Sequence, residues 1–346
     1  MLKRRVLLVY PEIPATYWSF KYALDFVGKK AVLPPLGLIT VAAMLPEEWE
    51  CRLVDMNVEP LEDEAIEWAD MVFVSAMLVQ RASFEKVVAR VGRLGRCVVA
   101  GGPYPTAMHC DIGGVDHFVL NEAEATLAPF LRDLEKGKPK RVYSDETRPD
   151  IAATPAPRFD LLDIDCYSTA SLQFSRGCPF NCEFCDIIEM FGHVPRVKSP
   201  GQFLREMDSL YATGFRGPLF IVDDNFIGNK HRVKELLREI IIWQKKYGHP
   251  FSLSTEASIN LADDDELLEL MAEAGFMMVF VGIETPVEES LSLAGKTQNL
   301  KGNLLESIRK IQGRGIEVTG GFIIGFDTDP EDIFDRQIGF VRESAI

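Results

Sequence analysis

Short apolar runs alternating with helix-patterned stretches constrain this 346-residue chain more than any other feature. In the first part the runs are VLLVY (6–10), CRLVD (51–55), MVFVS (71–75), CVVAG (97–101) and DHFVL (116–120), short and β-rich enough for buried parallel strands. Helical patterns lie between and after them at Leu36–Leu45, Leu61–Trp68, Ser83–Leu94, Tyr104–Cys110 and Glu122–Leu134. Five such units predict an open, doubly wound parallel sheet. Ligands of these sheets bind beyond the carboxyl ends of the strands. Those ends carry Pro11–Glu12, Asp55–Met56–Asn57, Ser75–Ala76–Met77 and Gly101–Gly102–Pro103. The paired glycines admit close backbone approach by a ligand, and a plain turn is the simpler reading. The chain has neither GxGxxG nor GxxxxGK[ST], so the sheet carries no signature of a dinucleotide or nucleoside triphosphate. The aromatic stretch from Tyr17 to Tyr22 reads as a loop packed on the sheet, or as a cap over a ligand.

Residues 136–165 lose the rhythm and gain Pro, Thr and charge, as in TRPDIAATPAPR, which predicts a linker between a domain at 1–135 and another at 166–346. After it the alternation resumes. The strand runs are SLQFS (171–175), PLFIVD (218–223), FSLST (251–255), MVFVGIE (278–284) and VTGGFIIG (318–325). The helical stretches are Pro200–Ala212, Lys230–Lys246, Asp264–Ala274, Glu288–Leu293 and Asn303–Gly313. Successive β/α units predict a partial (β/α) barrel whose chemistry gathers at the carboxyl ends of its strands. Five strands fall short of eight, so the barrel is expected to be truncated at the C-terminus.

Composition narrows the function classes. Hydrophobic residues make up 47% and charged residues 26%, as expected of a chain with packed cores. Lys and Arg number 37 against 52 Asp and Glu, for a net charge of −15, which disfavours nucleic acid as a partner. No run reaches about 18 apolar residues and the stretch Met1–Tyr10 has no leader pattern, so a cytoplasmic protein with no membrane span is expected.

Seven cysteines are too odd a number for a complete disulfide framework, and three of them crowd into FSRGCPFNCEFCD. Cys178, Cys182 and Cys185 come just after the first strand of the second half, with Gly177 and Pro179 suited to a sharp change of direction. Three soft ligands in one loop fit either zinc or iron–sulfur chemistry.

The spacing CxxxCxxC at the end of a barrel's first strand resembles the radical S-adenosylmethionine superfamily. That resemblance implies that Cys178, Cys182 and Cys185 hold a [4Fe–4S] cluster whose free iron is chelated by S-adenosylmethionine, with Phe184 as the usual aromatic between the last two cysteines. Asp223–Asp224–Asn225–Phe226 is similar to the DD-x-F pattern of members with an N-terminal cobalamin-binding domain. It makes Asp223 and Asp224 candidate catalytic carboxylates, a pair capping the next helix being the plainer reading. Ser254, Glu256 and Glu284 are implied as polar contacts to S-adenosylmethionine. Gly321 and Gly325 of GFIIG correspond to the strand bordering the adenine. The first domain likewise resembles a Rossmann-like cobalamin-binding domain. By that likeness Asp55, Met56, Asn57, Ser75, Met77, Gly101, Gly102 and Pro103 are the cobalamin contacts, with Asn121–Glu124 nearby. No DxHxxG occurs after Tyr10, so the resemblance implies cobalamin held without a histidine ligand.

The family resemblance implies an enzyme that cleaves S-adenosylmethionine reductively and, through methylcobalamin, C-methylates an unreactive carbon of a small or lipid-like metabolite. A flavodoxin- or ferredoxin-type protein is its implied electron donor. The rivals are a noncatalytic corrinoid or metal module, a radical rearrangement or cyclisation enzyme, and a tRNA-modifying enzyme.

Overall fold

The computed structural model describes residues 3–346; Met1 and Leu2, within the stretch read for a leader, lie outside the described residues. The chain packs as two compact units, Met1–Ala170 with Asp208–Phe215, and Ser171–Met207 with Arg216–Ile346.

In the first unit β1 (Arg5–Tyr10), β2 (Glu50–Asp55), β3 (Met71–Ser75), β4 (Cys97–Gly101), β5 (His117–Val119) and β6 (Val142–Tyr143) form one parallel sheet in the order β2-β1-β3-β4-β5-β6. The first five stand where the apolar runs predict them. The sixth does not: β6 lies inside the stretch expected to be a linker, too short to show any periodicity. Phe118 donates its amide to Arg141 O and Leu120 donates to Tyr143 O, while the Tyr143 ring packs edge-on against Phe130 at 5.4 Å. Residues up to 169 continue this unit, since Lys30 N–H donates to Cys166 O and Ser168 N–H to Ala31 O. Tyr17 and Tyr22 are each 79% exposed, so the aromatic stretch is not packed on the sheet as expected.

Both faces of the sheet are covered, which explains its near-continuous apolar strands. Leu7, Val72, Val98 and Phe118 pack on one side with Phe84, Val87 and Val91 of the helix Arg81–Arg93. Val6, Leu8, Phe73 and Val99 pack on the other with Leu127 and Phe130 of the helix Ala123–Glu135. Strand order reverses between β1 and β3. Doubly wound sheets take ligands beyond the carboxyl ends of the strands at such a reversal.

The second unit is built on β7 (Ala170–Leu172), β10 (Gly217–Ile221), β11 (Phe251–Glu256), β12 (Phe276–Glu284) and β13 (Glu317–Phe322), adjacent in that order. A two-stranded antiparallel sheet joins β8 (Ser175–Arg176) to β9 (Arg196–Val197). The run expected as one strand over 171–175 is therefore broken at Gln173. The cause is a carboxylate: Asp223 accepts the amides of Phe174 at 2.7 Å and Ser175 at 2.8 Å, taking the place of a ladder partner.

Alternation along β11 buries Phe251, Leu253 and Thr255 and leaves Ser254 and Glu256 on the opposite, inner face. The helix Lys230–Tyr247 covers the outer side with Val233, Leu236, Leu237, Ile240 and Ile241, spaced by three and four residues. Among the described residues no helix is long and apolar enough to cross a membrane.

Candidate active site

The cysteine loop begins where Asp223 grips the end of the broken strand. Asp223 is 1% exposed, and besides two amides it accepts the Ser175 hydroxyl at 2.7 Å. Burial pushes its carboxyl up to about 7, against the pull of these three donors. Both oxygens are thus spent on the backbone leading to Cys178, which makes Asp223 an organiser of the loop. Gly177 turns the chain next, with φ +98°, and a Cβ there would lie 2.8–3.2 Å from the carbonyl oxygens of Gly192, Val194 and Phe191. Only glycine meets both demands.

The three thiols sit close enough to influence one another. Burial raises the Cys178 and Cys185 thiols, and the neighbouring sulfurs push the same way. Asn225 donates its side-chain N–H to Cys178 Sγ at 3.8 Å and Gln298 donates to Cys182 Sγ at 3.7 Å. Amide donors aimed at sulfur suit thiolates, and so does a loop that presents three soft ligands, so these residues fit an iron–sulfur cluster. The fit is one of donor chemistry, since among the described residues no group of three or more His, Cys, Asp or Glu is drawn together to hold a metal ion.

A row of carboxylates continues the site. Asp224 is half-buried, its Oδ2 without a hydrogen-bond partner among the described residues, and burial moves its carboxyl up to about 6. Glu256, at the end of β11, is raised to about 7 by burial and by the charge of Asp224, with Lys296 opposing. Lys296 pairs with Glu284 Oε1 at 2.7 Å. Glu284 itself sits at φ +64°, a left-handed conformation that costs a residue with a side chain about 1–2 kcal/mol. Its surroundings hold it there: Ile323 N–H donates to its carbonyl at 2.8 Å, and Asn299 Nδ2 binds the carbonyls of Gly282 and Ile283 just before it. Phe184, 43% exposed, stacks edge-on with Phe326 at 6.5 Å, and Lys296 Nζ lies 5.7 Å from its ring centre.

Glycines shape the inner face beside this row. Gly282 pairs with Gly321 across β12 and β13, and a Cβ at Gly282 would strike the Glu284 carboxyl and come within 2.7 Å of Lys296 Nζ. Gly321 leaves room for the Phe280 ring, which would lie 2.9 Å from a Cβ there. Gly325, at φ +112°, and Phe326 both donate their amides to Asp329.

Of the residues expected in this site, the structure brings Asp224 within electrostatic reach of both Glu256 and Cys185, and the cysteines within reach of one another. It places Glu284 beside Glu256 through Lys296, and Phe184 against that lysine. Ser254 shares the inner face with Glu256 two residues deeper, and Gly325 stands in an exposed loop. The sequence alone assigns no role to Asn225, Lys296, Gln298 or Asn299. Nothing in the run KTQN marks these residues out, and only the burial of its two amides, 4% and 3% exposed, draws attention to them.

The first unit holds a second constellation. Asp55, 2% exposed, accepts from Tyr167 OH at 2.9 Å and from Asn57 N and Nδ2 at 2.9 and 2.7 Å. Asn57 Oδ1 in turn accepts the Ile13 amide, and Gln80 bridges Met77 N and Pro11 O. Burial pushes the Tyr10 hydroxyl up to about 12. This network ties together the carboxyl ends of β1, β2 and β3, so Asp55 and Asn57 hold loops in place. Gly102, at φ +88°, brings its backbone against Ser75, where a Cβ would lie 2.5 Å from Oγ, and the Tyr104 amide, after Pro103, donates to Ala76 O. Met77 is 40% exposed, Gly101 and Met56 are half-buried, and Pro103 is exposed.

Residues 172–338 match the model of the radical SAM superfamily, and residues 29–131 match that of the B12-binding domain. The chain thus joins a B12-binding domain to a following domain of the radical SAM superfamily. Over 344 residues it is 47% identical to an uncharacterised methyltransferase of Synechocystis sp., spanning 99% of this chain and 64% of that protein. Over 348 residues it is 37% identical to the hopanoid C-2 methylase of Rhodopseudomonas palustris, spanning 99% of this chain and 66% of the methylase. The chain thus spans just under two thirds of the length of these relatives. Its fold matches that of TsrM from Kitasatospora setae, a radical S-adenosylmethionine methyltransferase solved with cobalamin and a [4Fe-4S] cluster bound. The TM-score is 0.74 at 18% identity, over 99% of this chain and 73% of that one. The cobalamin-dependent radical enzyme OxsB matches at a TM-score of 0.77 and 18% identity, over 98% of this chain and 52% of that one.

Proposed function

We propose that this chain carries the cofactor-binding part of a cobalamin-dependent radical S-adenosylmethionine methyltransferase acting on an unreactive carbon of a small or lipid-like substrate of the hopanoid kind. The observation that carries the reading is the cysteine loop, with three interacting thiols, two side-chain amides aimed at sulfur, and a row of carboxylates alongside. When bound, the [4Fe–4S] cluster with S-adenosylmethionine supplies a 5′-deoxyadenosyl radical, and cobalamin supplies the methyl group.

In this reading Cys178, Cys182 and Cys185 hold the cluster, and Asp223 with Gly177 fixes where they point. Asp224 and Glu256, with Ser254 below them, present the negative and polar surface that a sulfonium and an amino group require. Burial raises both carboxyls, and a cationic ligand beside them favours their charged forms. Glu284 and Lys296 occupy the rim, and the bare backbone at Gly282 and Gly321 makes room for the Glu284 carboxyl and the Phe280 ring that border it. Met56, Ser75, Met77 and the Gly101–Pro103 turn offer cobalamin a lining on loops held by Asp55 and Asn57. A flavodoxin- or ferredoxin-type donor delivers the electron. The hopanoid C-2 methylase relative supports the substrate class.

The test is anaerobic purification, reconstitution with iron, sulfide and cobalamin, and measurement of bound metal and of 5′-deoxyadenosine under reduction. Bound cluster and cleavage, both lost in Cys182→Ala, are the expected result. Zinc as the sole metal without cleavage overturns the reading, and retained cofactors with no cleavage indicate a binding module. Hopanoid incubations with mass spectrometric readout then test for a gain of one methyl group.

A further inference from the structure

We propose that Asn225 and Gln298 set the reduction potential of the cluster, each by donating a side-chain N–H to one ligand sulfur, an inference that rests on the reading of the three cysteines above. Neither residue supplies a metal ligand, and both are buried, at 3% and 4% exposure.

The amide of Asn225 is oriented by its neighbours. Its Oδ1 lies 3.3 Å from both the backbone amide and the hydroxyl of Ser258. A backbone N–H is only ever a donor, so the oxygen must face Ser258 and Nδ2 must face Cys178 Sγ. Gln298 reaches Cys182 from the short turn Thr297–Leu300. Turned the other way, its oxygen lone pairs would face a thiolate, so ligation of Cys182 fixes Nε2 as the group that points to sulfur. Its Oε1 is then buried with no hydrogen-bond partner among the described residues, a cost that an apolar side chain would avoid. A buried amide kept at that cost is explained by what its other end touches.

Cys185 has a different environment. Burial is the largest influence on its thiol, followed by the backbone N–H of Ile187 and the Cys182 sulfur, with the Asp224 carboxylate and Lys296 ammonium farther down. The three ligand positions are therefore unequal, with side-chain amides at two and only a backbone amide beside an opposed charge pair at the third. Reducing a cluster adds negative charge shared with its sulfurs, and an N–H dipole aimed at sulfur stabilises the reduced state more than the oxidised one. Away from water that preference is large. Removing either donor lowers the potential, so the cluster becomes harder to reduce.

The experiment uses the reconstituted protein in dithionite titrations at pH 8 monitored by electron paramagnetic resonance, with iron and sulfide counted in each sample. Gln298→Leu removes the donor at similar volume. Asn225→Asp keeps the acceptor for Ser258 and replaces the donor with an anionic oxygen. Each variant is expected to hold wild-type iron while the ratio of reduced to oxidised cluster at a fixed poise falls about tenfold, about 59 mV for one electron. The double variant should add the two shifts, because the donors act on different sulfurs. Unchanged midpoints in both variants with full iron overturn the proposal. Loss of iron from both also overturns it, since the amides would then be holding the loop. If only Asn225→Asp loses iron, Gln298→Leu decides. A wild-type protein that takes up no iron and sulfide defeats the cysteine reading itself, a result distinct from unshifted midpoints in loaded protein.

Discussion

At the scale of single residues, the site is run by side chains that bind other protein groups. Asp223, a candidate catalytic carboxylate by its motif, has its oxygens fully engaged by Phe174 and Ser175 instead. Asp223→Asn turns one of those acceptors into a donor facing a donor, and a loss of about 1–3 kcal/mol is expected in chemical denaturation of the apoprotein. The same residue gives a pH signature. Its folded value near 7 stands above the ordinary 3.8, so the folded protein holds the proton more tightly than the unfolded chain. The stability it contributes is full below about pH 4 and is lost as pH rises through 7. Asp224 and Glu256 slope the same way, so stability should fall between pH 4 and 7, and Asp223→Asn should flatten that fall by one proton's worth. A denaturation series across this range checks both statements. What the motif could not reveal is which of two adjacent carboxylates is buried against Phe174 and Ser175. Both lie beyond the end of β10 at Ile221, where strand alternation no longer applies, so DDNF alone does not decide it.

At the scale of elements, the strand runs were legible because buried parallel strands need unbroken β-branched stretches, and nine of the ten expected runs form strands close to their expected bounds. The exception, 171–175, is broken by a carboxylate 48 residues downstream of Ser175, a contact no local pattern encodes. β6 escapes notice for the opposite reason, since two residues carry no period. The cysteine loop is an element of its own, closed by Gly177 against three carbonyl oxygens. Gly177→Ala should therefore open that turn and abolish iron uptake on reconstitution. Cobalamin binding should survive, which a cobalt assay on the same sample checks.

At the scale of the whole molecule, each sheet has its own covering helices and its own polar network at the carboxyl ends of its strands. The cobalamin reading places its contacts in the first unit, so replacing Cys178, Cys182 and Cys185 by alanine together should remove all iron and leave about one cobalamin per chain. Loss of both in spectroscopy of the purified variant would show that the corrinoid depends on the cluster. The grip of Asp223 on Phe174 and Ser175 has a last consequence for anyone who recombines these proteins. A seven-cysteine sequence can be cut and spliced at will, but the aim of its three metal-binding sulfurs is written at position 223. A cysteine loop grafted into a foreign barrel without that distant carboxylate should arrive with its ligands intact and pointing the wrong way.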